Sequence, residues 1–302
     1  MHDELLRFEV EVMSGSEKWS YEDAATWIAK TYNDLRVPLI FLPWAHVLAD
    51  EVGLSEGDSV LDVATGPGTV AGVAAARVGA TGKVVGVDIS PAMLSVARGK
   101  APASGAAPID YVEAPAERLS VPSASFHVAL CQQGLQFFGD RLAALREMQR
   151  ALMPGGRLGL AVWASTEQGN VWEALGAAFR QIGRPELAER TAVPFRSQDP
   201  RELAQLLAEA GFQRVRIRSH TLPLVFKGGC AQLIDATMGT PMGPQISAMP
   251  QSERRILHDA LAEQCRAMLR SGCIHSQMTA NIATAIASDA EYRDAPIRTP
   301  GY

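Results

Sequence analysis

Apolar positions in this chain change period several times, and the changes mark an alternation of strand and helix. Short apolar runs at 59–63, 83–87, 109–113, 126–131 and 157–163 have the length and β-branched content of strands buried on both faces. Helical spacing fills the gaps between several of them. One helix covers 69–79, a second opens at Ser90-Pro91 and closes at Gly99, and a third starts at Asp140. In the third, Leu142, Leu145, Met148 and Leu152 form one stripe, and Pro154-Gly155-Gly156 ends the helix. Such alternation predicts a parallel sheet covered by helices. Farther on, a helix at 200–211 and a strand at 215–220 continue the pattern. Residues 278–287 read as a last strand, although their Ala-Thr repeats also suit a helix.

Two regions depart from the alternation. Before the first strand, residues 1–50 hold Trp19, Tyr21, Trp27, Tyr32 and Trp44, with an amphipathic helical run over 21–33. Pro38 and Pro43 are expected to interrupt the next stretch before a helical pattern resumes at 44–52. After the fifth strand, 165–195 read as helix plus loop. Residues 228–272 read as an insertion: a helix at 230–238, a Met/Pro/Gly-rich loop and a long helix at 251–270. The organisation expected is an N-terminal helical segment (1–50), a core (51–164), a cap segment (165–195), a core continuation (196–227), a cap insertion (228–272), and a last strand with tail (273–302).

Composition narrows the partners. The 302 residues are 47% hydrophobic and carry a net charge of −5, without a basic run, so nucleic acid is not expected. The four cysteines, Cys131, Cys230, Cys265 and Cys273, lack C-x-x-C spacing, and reduced thiols are the default. The start, Met1-His2-Asp3-Glu4, is acidic where a signal peptide is basic, and no apolar run reaches the roughly 20 residues of a membrane span. These features predict a cytoplasmic protein with no membrane partner.

The chemistry concentrates in Val60-Leu61-Asp62-Val63-Ala64-Thr65-Gly66-Pro67-Gly68-Thr69-Val70-Ala71, a strand, a tight loop and the start of a helix. Gly66 to Ala71 satisfies G-x-G-x-x-G/A, and Asp88 stands near the offset of a ribose-binding acid, which admits a dinucleotide. Two features disfavour it. Ala64 and Thr65 separate the strand from the glycines, and Asp62 would set a negative charge near a pyrophosphate. An amino-acid head suits the loop better, with its ammonium at Asp62 and its carboxylate at the helix N-terminus. S-adenosylmethionine (SAM) has that head and a ribose for Asp88.

The stretch 60–68 resembles the first motif of class I SAM-dependent methyltransferases, and Gly86-Val87-Asp88-Ile89-Ser90-Pro91-Ala92-Met93-Leu94 resembles the second. Residues 126–140 and Leu152-Met153-Pro154-Gly155-Gly156-Arg157-Leu158 follow in the family's order. The likeness is closest to the broad group around quinone C-methyltransferases and bacterial small-molecule enzymes. It implies an α/β, Rossmann-like, seven-stranded sheet with helices on both faces, an N-terminal lid and helical caps. It also implies SAM as cofactor, S-adenosylhomocysteine as product, and a small, hydrophobic acceptor taking its methyl on carbon, oxygen or nitrogen. Expected cofactor contacts are Asp62, Ala64, Gly66, Gly68, Asp88, Ile89, Met93, Ala116, Glu117, Cys131 and Gln132. Pro115 stands where relatives usually have an adenine-binding Asp, so adenine is left to backbone near Ala116 and to packing from Ile89 and Met93. The acceptor pocket is expected to draw on Tyr21, Tyr32, Gln136, Phe137, Phe138 and Trp163. Tyr21 and Tyr32 are the catalytic candidates, through ring faces that stabilise a cation.

No residue is marked as a base. His46, His220, His275, Glu113 and Glu167 are candidates without a motif, and His127, at a strand's beginning, is expected to be structural. Neither an H-x-E nor a Cys/His cluster appears, so no metal is expected. The N-terminal or cap helices could also pair two copies of the chain. Two other classes stay open: a SAM-binding protein that methylates nothing, such as a cyclase scaffold or regulator, and a NAD-binding oxidoreductase.

Overall fold

The computed structural model describes residues 20–164, 170–196 and 199–288. Trp19, Glu167 and the tail beyond 288 fall outside them, as does the side chain of Tyr21.

The strands are β1 (Ser59–Val63), β2 (Lys83–Asp88), β3 (Ile109–Glu113), β4 (Phe126–Gln132), β5 (Leu152–Trp163), β6 (Phe212–Phe226), β7 (Leu269–Arg270) and β8 (Cys273–Ala287). Their order across the sheet is β3-β2-β1-β4-β5-β8-β6, with the two-residue β7 paired to β8 outside that path. The first five are parallel, whereas β8 runs antiparallel between β5 and β6. The seven strands of the main path match the expected α/β sheet. β1 and β4 lie side by side inside the sheet, and the order reverses between them. Loops leaving the carboxyl ends of β1 and β4 therefore border a crevice.

Helices α3 (Thr69–Val78) and α4 (Pro91–Arg98) follow β1 and β2, and α5 (Arg141–Ala151) follows β4. One face of the sheet packs Leu61, Val63, Ala129 and Leu160 against α5 and α8 (Pro200–Glu209). The other packs Val60, Val128, Leu130 and Ala161 against α3 and the N-terminal and cap helices. Those cap helices are α6 (Val171–Gln181), α7 (Pro185–Ala192), α9 (Gly229–Met238), α10 (Gly243–Ser247) and α11 (Gln251–Gln264).

The N-terminal segment differs from the expected broken helix. Helix α1 (Tyr21–Thr31), capped by Ser20, runs into a π-helical stretch, Tyr32–Phe41, and then into α2 (Leu42–Val52). Pro38 sits inside the π-helical stretch, whose wider turns tolerate its missing N–H, and Pro43 lies in the first turn of α2. Past α2, Arg157 of β5 donates to the Gly53 carbonyl and pairs with Asp58 at 2.6 Å, fixing the entry to β1.

Three other boundaries shift. Pro154-Gly155-Gly156 lies inside β5, where the ladder to β4 slips register, and does not separate α5 from the strand. The helix expected over 251–270 stops at Gln264, because the chain turns at Cys265 and returns as the β7–β8 hairpin. Residues 278–287 are strand, since β6 and β5 supply partners on both sides.

Candidate functional site

At the end of β1 the chain enters left-handed conformations at Ala64 (φ 58°), Gly66 (φ 54°) and Gly68 (φ 77°). Glycine carries this freely, whereas Ala64 is strained, as is Gln133 (φ 58°) just beyond β4. The two strained residues flank the crevice between neighbouring strands. The glycines of the loop serve different ends. A Cβ on Gly66 would meet nothing within 4 Å, so its outer face is open to a ligand. A Cβ on Gly68 would come within 3.1 Å of Tyr111 Cζ, so this glycine allows the loop to close on β3.

Two carboxylates frame the loop. Asp88, at the end of β2, accepts from Gly66 N–H at 2.7 Å and Ser90 N–H at 2.9 Å. Burial raises its pKa, and those amides oppose the rise. Asp62 is buried in β1 and accepts from the Thr65 hydroxyl at 2.5 Å through Oδ2, while its Oδ1 has no hydrogen-bond partner. Burial pushes its carboxyl up to about 7, against the Thr65 hydroxyl and the nearby Ala71 amide. The Thr69 hydroxyl, at the start of α3, is likewise unpartnered. A buried carboxylate oxygen and a helix N-terminus with spare donors fit the ammonium and carboxylate of one amino acid.

The other expected cofactor residues divide. Ile89 is 47% exposed beside Asp88, and Met93 is half-buried on α4, an apolar step suited to a flat base. Ala116 is buried. Glu117 accepts from the amides of Gly139 and Asp140 at 3.0 and 3.4 Å through Oε1. Cys131 is buried beside the loop, its thiol pushed up to about 12 chiefly by burial and then by the charge of Asp62. Gln132 donates to the Phe41 carbonyl at 3.1 Å, tying the N-terminal segment to β4, and its Oε1 is unpartnered.

Beyond Gln132 the aromatic residues gather. Tyr32 stacks on Phe41 at 4.8 Å, and Phe41 lies 6.1 Å from Trp163. Trp163 meets Trp44 edge-on at 5.5 Å and Phe195 at 6.4 Å, and Phe195 lies 6.4 Å from Trp172. Burial raises the pKa of Tyr32 and keeps it a neutral phenol; Arg36 lowers it and Asp88 raises it, so Tyr32 stands near both. Tyr32 and Trp163 thus share one cluster. Gln136, Phe137 and Phe138 take no part in these ring contacts. Phe138 packs into the core under α5, Phe137 stands 47% exposed, and Gln136 lines a cleft with Arg141, Glu202 and Glu209. The 3-10 turn Leu135–Phe137 buries Leu135 and leaves Phe137 exposed.

None of the described base candidates reaches this cluster. His46, His275 and Glu113 are exposed, and His220 faces Glu51 at 3.1 Å. His127 Nδ1 accepts from the Ser59 N–H at 2.9 Å, a structural link between β4 and β1. Sequence reading missed Arg36, Trp172 and Phe195, which reach the cluster from three separate segments.

Comparison with known proteins decides the family. Residues 28–179 match the ubiE/COQ5 methyltransferase family, about half of the chain. The chain belongs to that family. It is therefore a SAM-dependent methyltransferase by descent, and the open loop, the unpartnered Asp62 oxygen and Asp88 fit its cofactor. The ubiquinone/menaquinone biosynthesis C-methyltransferase UbiE of Hahella chejuensis is 42% identical over 127 residues, 42% of this chain and 51% of the relative. This chain thus spans about half the length of that relative. The UbiE of Xanthomonas oryzae pv. oryzae is 32% identical over 212 residues, 65% of this chain and 83% of the relative. Among solved structures, the YcgJ protein of Bacillus subtilis superposes with a TM-score of 0.54 at 19% identity, covering 82% of this chain and 98% of that one, which shows the shared fold. No described helix is long and apolar enough to cross a membrane.

Proposed function

We propose that this chain transfers the methyl group of SAM to a ring carbon of a small, flat, hydrophobic acceptor. The observation that carries this reading is the aromatic cluster of Tyr32, Phe41, Trp163, Trp172 and Phe195, joined to the cofactor crevice through Gln132. Its ring faces suit a flat, unsaturated acceptor. The family relatives carry the name of quinone C-methyltransferases, which favours carbon as the nucleophile.

In this reading Asp62 and the start of α3 hold the amino-acid head of the cofactor, Asp88 takes the ribose, and Ile89 and Met93 pack the adenine. The bound sulfonium makes the methyl electrophilic, and the remaining demands fall on the protein. The cluster aligns the ring carbon with the methyl and keeps water out. SAM, held by Asp62, Asp88 and the start of α3, would supply the methyl and leave as S-adenosylhomocysteine. The methylated ring carbon would give up its own proton to solvent once transfer is complete and the site opens. Among the described residues the cluster's ring contacts include no histidine or carboxylate, which suits such chemistry, because an electron-rich carbon attacks before its own ring proton is lost.

Incubation with trideuteromethyl SAM and a panel of naphthoquinols, phenols and aromatic amines, read by mass spectrometry, tests the proposal. The expected product is heavier by 17 Da, with the label resistant to ether and amine cleavage. Label on oxygen or nitrogen only, or SAM binding without any labelled product, would contradict it.

A further inference from the structure

Arg36 enters the cluster from the π-helical stretch and takes no part in the cofactor loop. Its guanidinium carbon lies 5.7 Å from the ring centres of Tyr32 and Phe41 and 5.5 Å from that of Trp172. One Nη donates to the Ala236 carbonyl at 3.3 Å, and Nε has no hydrogen-bond partner. Among the described residues no carboxylate forms an ion pair with it. The indole N–H of Trp172, on a ring beside it, is also buried without an acceptor. Ring faces answer a guanidinium's charge only in part and accept little from its five N–H groups. Two buried donors without acceptors, one of them on a half-buried cation, call for an oxygen that carries negative charge.

We propose that Arg36, with the indole N–H of Trp172, binds an anionic oxygen of the methyl acceptor, so that the acceptor enters as its conjugate base. This rests on the cluster being the acceptor chamber, and it adds the ionisation state and the residue that selects it. The oxygen belongs either to the ring itself, as a phenolate or enolate, or to a carboxylate on the ring; both present the same charge to the guanidinium. A neutral ether or ester of the same shape would leave the guanidinium's charge unanswered beside its buried Nε, and is selected against.

The test uses the full chain saturated with S-adenosylhomocysteine and three probes: 2-hydroxy-1,4-naphthoquinone, its methyl ether and 2-naphthoate. Calorimetry is expected to show an anion bound at least about tenfold more tightly than the ether, the size of one charge-assisted hydrogen bond. Preference for the hydroxyquinone assigns the oxygen to the ring, and preference for the naphthoate assigns it to a carboxylate. Arg36→Lys keeps part of the preference and Arg36→Met abolishes it, while both bind S-adenosylhomocysteine as the parent does. Equal binding of anions and ether, no binding of either anion, or a preference that survives Arg36→Met overturns the proposal. Failure of the parent to bind S-adenosylhomocysteine would instead sink the methyltransferase reading.

Discussion

Trp44→Ala is expected to lower the stability of the protein by about 3–5 kcal/mol, the cost of emptying a large buried aromatic site. Trp44 is 2% exposed and belongs to the largest buried side chains of the core. It lies on α2 between the helix and the sheet, edge-on to Trp163 at the end of β5. Leu48, one turn later, is fully buried on the same side, so the truncated site is walled by rigid neighbours and cannot close easily. Trp44→Phe, which keeps most of the volume, should cost about 1–2 kcal/mol. Urea denaturation of both variants checks the pair. A loss below about 1 kcal/mol for Trp44→Ala would mean that the N-terminal segment is not held by burial. The same truncation frees Trp163 to move, so methyl transfer should fall even where the variant is fully folded.

The second large effect concerns Asp62 and pH. Its carboxyl titrates at about 7 in the folded protein, mainly through burial, whereas an unfolded aspartate titrates near ~3.9. A folded-state pKa that is raised favours the protonated form in the native chain. The stabilisation is therefore complete below about pH 3.9 and is lost as pH rises to about 7, above which no further change comes from this group. Asp62→Asn should flatten that slope, and it should be more stable relative to the parent at pH 8 than at pH 5. The cofactor's ammonium has the opposite preference, since it pairs with the ionised carboxylate. Affinity for S-adenosylhomocysteine should accordingly rise with pH up to about 7 in the parent and stay level in Asp62→Asn. Denaturation and calorimetry at the two pH values read both trends. Parallel stability profiles for parent and variant would show that Asp62 is not a buried titrating group.

The sequence made the cofactor half of the site legible, because its signals are local. Asp62, Gly66, Gly68 and Asp88 lie in short strand–loop–helix passages, where alternation, glycine and a capping serine mark each turn. The acceptor half is built differently. Arg36 meets Trp172 across 136 positions of chain and Ala236 across 200, and no periodicity links such partners. At Phe137 and Phe138 a single 3-10 turn decides which ring is exposed and which packs on the core. The continuous path from α1 to α2 was hidden because Pro38 signals a break in an α-helix but not in a π-helical turn. Strain at Ala64 and Gln133 has no sequence signature, since neither residue type favours a left-handed backbone. The bond from the Gly139 amide to Glu117, 22 positions apart, has no local signal either.

The cofactor assignment is tested most directly by calorimetric titration of the protein with SAM, S-adenosylhomocysteine and NAD, with Asp88→Ala alongside. Asp88 holds Gly66 in place and is the residue proposed to take the ribose, so its removal should weaken binding by about 100-fold or more, two charge-assisted hydrogen bonds' worth. The account predicts saturable binding of SAM and S-adenosylhomocysteine, its loss in Asp88→Ala, and no heat with NAD. Binding of NAD alone, or SAM affinity untouched by Asp88→Ala, would contradict it.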